Sequence, residues 1–254
     1  MTDQDTGLPA EAAEAVPPAP PRHLTGVLFD MDGLLVDTEP VWMRAEEAVV
    51  ASLGGTSWTQ DDQRAILGLA LPLAAEYMCS RTGSARPADE VADLIVSGFL
   101  RELADSPVPL QPGAAEIVRE VSAAGVPFAL VSASVRSIVD LITAHLRAAD
   151  VPAFPITLAG DEVEHGKPDP TPYLRAAELL GIDIEGAVVL EDSRNGVLAG
   201  WSAGATVVAV EGMVQHTPRP RVHVRPSLRG IDLATLRGLV AGSAAAAPAA
   251  PDPE

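Results

Sequence analysis

Residues 27–40 read VLFDMDGLLVDTEP. With Gly26 before it, the run to Phe29 is short, continuous and apolar, as expected of a strand covered on both faces. Asp30 stands where that strand ends, and Asp32 follows on the turn that carries Gly33. A bare D-x-D pair occurs by chance in many chains, and an acidic turn capping a helix is the competing reading. At the exit of a buried strand, however, two carboxylates this close suit a division of labour between an ionised and a protonated acid.

Four more apolar runs follow along the chain: Pro127–Val131, Ile156–Ala159, Ala187–Leu190 and Thr206–Val210. Helical patterns separate them at Ala114–Ala124, Arg136–Ala148, Pro172–Leu180 and Asn195–Ala203. Gly125, Gly181 and Gly204 fall just past three of these, where helices commonly end. The alternation predicts an α/β fold with a doubly wound, Rossmann-like, mostly parallel sheet. Between the first two strands, residues from about Val41 to Pro107 read as helical throughout, in VWMRAEEAVVASL, AAEYMC and EVADLIVSGFLREL. The expected organisation is therefore a disordered tail (1–23), an α/β core (24–40 and 108–241), an inserted helical cap (41–107) and a second disordered tail (242–254). The tails are rich in Ala, Pro and acidic residues and bury too little to fold. An insert at the carboxyl edge of a parallel sheet sits over the place where ligands bind.

Composition narrows the function classes. Hydrophobic residues make up 47% of the 254 and aromatics only 4%, so aliphatic side chains and Ala must build the core. A net charge of −18 repels nucleic acid and anionic membranes alike. It also disfavours anionic substrates, so any phosphate site has to be built locally. Cys79 is the only cysteine, which excludes an internal disulfide and fits a reducing cytosol. It reads as a small buried hydrophobe. No leader pattern opens the chain and no run of about 18 uncharged apolar residues occurs, so the expected location is the cytoplasm.

Three further segments carry chemistry. Ser132 directly follows the strand FALV and precedes Ala133-Ser134. A hydroxyl and successive backbone N–H groups at a strand-to-helix junction can hold phosphate oxygens, although an ordinary N-cap looks the same. Lys167, in EHGKPDPTPY, is the one lysine beside sixteen arginines. A compact ammonium with rotatable donors suits a phosphate that moves along a reaction path; a solvated surface lysine is the bland alternative. In VVLEDSRNG (188–196) another apolar strand ends in acids, Glu191 and Asp192. Acids at two strand ends can share one hard cation through oxygen ligands, or merely start a capped helix. In a parallel sheet all these ends lie on one edge, so the residues can converge.

In this order the four segments resemble the four motifs of the haloacid dehalogenase superfamily, and the likeness spans about Leu24 to Val240. GKPDP, LEDSRNG and DMDGLLVDTEP are the specific stretches. The helical insert resembles the cap of the β-phosphoglucomutase-like branch. The resemblance implies a phosphatase in which Asp30 attacks phosphorus and forms an aspartyl phosphate, while Asp32 acts as general acid and base. It implies Mg²⁺ held by Asp30, the main-chain carbonyl of Asp32 and Asp192, with Glu191 nearby or ligating through water. Ser132 and Lys167 would steady the phosphate, which Asp30, Met31, Asp32 and Ala133 also meet. Asp37 and Glu39 are expected to be structural. The cap is expected to close as a lid, its loop Leu67–Pro72 touching substrate.

Branches of the superfamily separate on particular residues. Dehalogenases of this fold lack the second acid, here Asp32, and phosphonatases need a cap lysine that is absent. β-Phosphoglucomutases place an Arg and a Lys in the cap, whereas AILGLALPLAA is uncharged between Arg64 and Glu76. Hydrolysis of a small sugar or polyol phosphate is thus expected ahead of phosphosugar mutase activity. The full set of acids and the lysine weighs against a non-catalytic phospho-ligand-binding module. The expected partner is a small phosphorylated metabolite, with no nucleic acid and no membrane, met by a monomer or homodimer.

Overall fold

The computed structural model describes residues 22–66, 69–105 and 108–243. Apart from residues 22, 23, 242 and 243, the two expected tails lie outside the described residues. Strand β1 (Gly26–Phe29) leads into four helices, α1 (Glu39–Ser52), α2 (Gln60–Ile66), α3 (Leu71–Thr82) and α4 (Ala88–Asp105). Then come α5 (Ala114–Ala123), β2 (Phe128–Val131), α6 (Arg136–Ala148), β3 (Ile156–Leu158), α7 (Thr171–Leu180), β4 (Ala187–Glu191) and α8 (Arg194–Ser202). The chain finishes with β5 (Thr206–Val210), β6 (Val222–Arg225) and α9 (Leu233–Ser243).

The six strands form one sheet in the order β3-β2-β1-β4-β5-β6, and every neighbouring pair is parallel. The α/β fold expected from the sequence is the fold found. Val- and Leu-rich strands suit burial on both faces. Along β1, Val27 and Phe29 join the cluster beneath α5, α6 and α9, while Leu28 joins the one beneath α7 and α8. Each such side chain is fully buried and stabilises by about 1.5–3 kcal/mol. Helices α1–α4 enclose a separate apolar cluster around Val50, Trp58, Met78 and Ile95.

Register sets up the site. Phe29 lies level with Leu130 on one side and Leu190 on the other. The next residues, Asp30, Val131 and Glu191, therefore stand side by side at the carboxyl edge of the sheet. Strand order reverses at β1, between β2 and β4, and ligands of such sheets bind in the crevice outside that point.

Two elements lie beyond the alternation read from the sequence. β6 is a four-residue edge strand, VHVR, set among arginines and prolines that read as loop. It forms because Val207–Val210 pairs with Val222–Arg225. α9 packs Leu236 and Val240 into the core and takes in Gly242 and Ser243. Ser243 is held there because its hydroxyl donates to Leu239 O and accepts from Thr206 Oγ1. Among the described residues no helix is long and apolar enough to cross a membrane.

Candidate active site

At the carboxyl edge of the sheet Lys167 is buried, and its three N–H groups all have acceptors. Nζ donates to Asp30 Oδ1 at 2.5 Å, to Glu191 Oε1 at 2.7 Å and to Val131 O at 2.9 Å. These are the three chain positions that the register places level. Burial alone would lower the lysine pKa, but the Asp30 and Glu191 carboxylates outweigh it and raise it, so the ammonium stays charged.

Glu191 is fully buried and saturated with donors. Oε1 takes Lys167 and the Tyr173 hydroxyl, the latter at 2.8 Å. Oε2 takes the backbone N–H groups of Asp192 and Ser193 and the Ser193 hydroxyl, at 2.9–3.0 Å. This packing leaves no room for a side chain at Gly196, where a Cβ would lie 1.6 Å from Glu191 Oε1. Gly33 meets a similar demand: its φ is +76°, and a Cβ there would fall 2.1 Å from Asp192 Oδ2.

Asp192 sits beside the pair with Oδ1 buried and without a hydrogen bond. Asp30, Glu191 and Asp192 each present an oxygen within 4.8 Å of the others. Burial foremost, and then repulsion from neighbouring carboxylates (Glu191 for Asp30; Asp30 and Glu191 for Asp192), raises the pKa values of Asp30 and Asp192 well above the ordinary carboxylate range.

Asp32 is held by a different set of side chains. Its Oδ1 accepts from Thr38 Oγ1 at 2.7 Å and from Trp42 Nε1, on α1, at 3.2 Å. Its Oδ2 accepts from Ser134 Oγ at 2.8 Å and from Ser132 Oγ at 3.4 Å. Ser132 Oγ also accepts the Ser134 N–H at 3.0 Å. Asp30, Asp32, Ser132, Ala133, Lys167 and Asp192 all line one cleft. Glu191 and Met31 are fully buried and do not line it.

Within the cleft the carboxyl groups of Asp30, Asp32, Glu39, Glu46 and Asp192 face one ammonium, that of Lys167. Of the cap loop expected to touch substrate, Leu69 and Leu71 line the cleft; residues 67 and 68 lie outside the described residues. Tyr173, Thr38, Trp42, Ser134, Glu46 and Gln63 join the site without having been singled out by sequence. Thr38 and Tyr173 stand inside segments quoted above, but nothing in their spacing signals the contacts they make.

Comparison with known proteins gives the same result. Residues 27–210 match the haloacid dehalogenase-like hydrolase family. Hexitol phosphatase B of Escherichia coli (strain K12) is 32% identical over 201 residues, covering 78% of this chain and 89% of the relative. The phosphorylated carbohydrates phosphatase of Thermotoga maritima is 33% identical over 189 residues, covering 71% and 82% respectively. The crystal structure of CbbY from Rhodobacter sphaeroides in complex with phosphate matches with a TM-score of 0.73 at 27% identity, over 84% of this chain and 99% of that one. The chain thus belongs to the haloacid dehalogenase-like hydrolase family and is an enzyme of its phosphatase type.

Proposed function

We propose that this enzyme is a Mg²⁺-dependent phosphatase that hydrolyses a small sugar or polyol phosphate through an aspartyl-phosphate intermediate. The observation that carries the reading is the buried convergence of Asp30, Lys167, Glu191 and Asp192 at the switch point of the sheet. In this scheme an Asp30 carboxylate oxygen bonds to phosphorus as the bond to the leaving oxygen breaks. Asp32 gives its proton to that oxygen. It then takes a proton from the water that attacks the acyl phosphate, releasing phosphate and restoring Asp30. Lys167 fixes the angle of Asp30 and places a positive charge beside it, and Ser132 with the following backbone N–H groups steadies phosphate oxygens. Glu191 anchors Lys167.

The residues fit a hard cation. Asp192 Oδ1 lacks a partner although buried, and the surrounding donors are all oxygens. Asp30, Asp192 and the main-chain carbonyl of Asp32 are the direct ligands of the proposed site. Glu191, whose two oxygens are already taken, would act through water. Bound Mg²⁺ would offset part of the negative charge that otherwise keeps a carboxylate from a phosphate dianion. Among the described residues Lys167 is the only basic side chain lining the cleft, so α1–α4 offer no cation for a second phosphate. That favours hydrolysis over a mutase cycle.

Phosphate release from a panel of hexitol and hexose phosphates, with Mg²⁺ and with EDTA, tests the proposal. Turnover that needs Mg²⁺ is expected; none on the panel or on p-nitrophenyl phosphate would overturn it. A binding readout is independent of activity. Mg²⁺ at about a hundred times its Kd should stabilise by about 2.7 kcal/mol, raising Tm by about 5–10 °C for a chain this size. Asp192→Asn should lose that shift. Without Mg²⁺ it should melt no lower than wild type, because a buried carboxylate repelled by Asp30 and Glu191 is gone. A full shift in the variant would remove Asp192 from the metal site.

A further inference from the structure

The roof of the cleft is apolar where Ile66, Leu71, Ala74 and Ile95 line it, with two exceptions, Glu46 and Gln63. Glu46 belongs to α1 and is only 4% exposed. The indole N–H of Trp58 donates to its Oε2 at 2.9 Å. Among the described residues no Lys, Arg or His pairs with it, whereas the neighbouring Arg44 pairs with Glu102. Gln63 is buried to the same degree, and its Nε2 donates to Glu39 O at 3.1 Å, which fixes its amide at the cleft.

A carboxyl group buried against aliphatic side chains without a cation is unfavourable for folding. Packing does not call for it, since the surrounding cluster of Val49, Val50, Ile66, Ala74 and Ile95 would accept an apolar residue. Its burial, outweighing the Trp58 hydrogen bond, raises the Glu46 pKa to about 7. The group can therefore accept or donate near neutrality.

Position gives it a task. Trp42, which donates to Asp32, stands one turn before Glu46 on the same face of α1. The two side chains are roughly 6 Å apart along the helix axis. In the proposed reaction the leaving oxygen lies at Asp32, so the rest of the leaving group extends past Trp42 toward Glu46.

Resting on the phosphatase reading, we infer that Glu46, flanked by Gln63, is the specificity-determining residue of the cleft and hydrogen-bonds the hydroxyl groups of a polyhydroxylated, uncharged leaving group. A carboxyl acceptor binds hydroxyls and repels a second phosphate or a carboxylate, so the substrate class is a monophosphate of a neutral polyol or sugar.

The test compares sorbitol 6-phosphate with p-nitrophenyl phosphate, whose leaving group carries no hydroxyl beyond the bridging oxygen. Glu46→Met keeps the side-chain length and removes the polarity. It should lower the kcat/KM ratio between the two substrates at least tenfold, chiefly by raising KM for the polyol phosphate, and Glu46→Gln should fall between Met and wild type. Turnover of p-nitrophenyl phosphate by the variants reports that they are folded. Equal losses on both substrates would make Glu46 merely structural and overturn the inference. So would a wild-type enzyme that hydrolyses p-nitrophenyl phosphate yet shows no preference for hydroxylated leaving groups. If wild type hydrolyses neither compound with Mg²⁺, the phosphatase reading itself fails and this inference falls with it.

Discussion

Asp30→Asn is expected to lower turnover of any phosphate monoester by about four to six orders of magnitude while the protein stays folded. An amide is no nucleophile toward phosphorus, so the covalent route closes. The fold tolerates the change because Lys167 keeps Glu191 Oε1 and Val131 O as acceptors. Asp30 is moreover a carboxylate whose ionisation is opposed by burial and by Glu191, so replacing it by a neutral isostere removes repulsion. The check is phosphate release under saturating substrate, with a thermal melt beside it. Activity within tenfold of wild type would remove Asp30 from the chemistry; a collapsed melt would leave its role to be read from Asp30→Glu.

Lys167→Met is expected to act on stability as well as on rate. It takes away the one ammonium among Asp30, Glu191 and Asp192. Breaking a buried ion pair from one side costs about 3–5 kcal/mol, or about 6–20 °C in Tm for a chain of this size. The pH dependence has a definite sign. Asp30 and Asp192 already bind protons more tightly folded than unfolded, and Lys167 opposes that. Without it, the folded carboxyl groups hold protons to higher pH still. Stability of the variant is thus fully retained below the unfolded value near 3.8 and lost as pH rises through the folded values. Adding Glu191→Gln should restore part of the loss, because the two changes act on one network. Melting curves across pH for the single and double variants check this. A Lys167→Met protein as stable as wild type at pH 8 would mean that the ammonium does not hold the site together.

Much of this arrangement was legible in the sequence. Asp30, Asp32, Ser132, Lys167, Glu191 and Asp192 each sit just past an apolar run or in the loop that follows one, and parallel strands bring such ends to one edge, so convergence follows from topology. What was not legible depends on helix rotation and edge pairing. Glu46 and Glu47 are adjacent in a polar stretch of VWMRAEEAVVASL, and nothing in the string tells which turns inward. The structure buries Glu46 and exposes Glu47. Tyr173 reaches Glu191 only because α7 packs under the sheet. Ser134 approaches Asp32 more closely than Ser132 does, a difference set by the loop after β2. β6 escaped because four residues between prolines carry too little periodicity to stand apart from a loop.

The indole contacts have an optical consequence. Of the three tryptophans in the chain, Trp42 holds Asp32 and stacks on Phe99 with ring centroids 4.0 Å apart, and Trp58 holds Glu46. Trp201 sits elsewhere, flanked by Arg219 and Arg221. Two of the three intrinsic fluorophores are thus hydrogen-bonded to carboxyl groups that line one cleft, Asp32 and Glu46. The protein carries its own spectroscopic gauge of whatever enters between them.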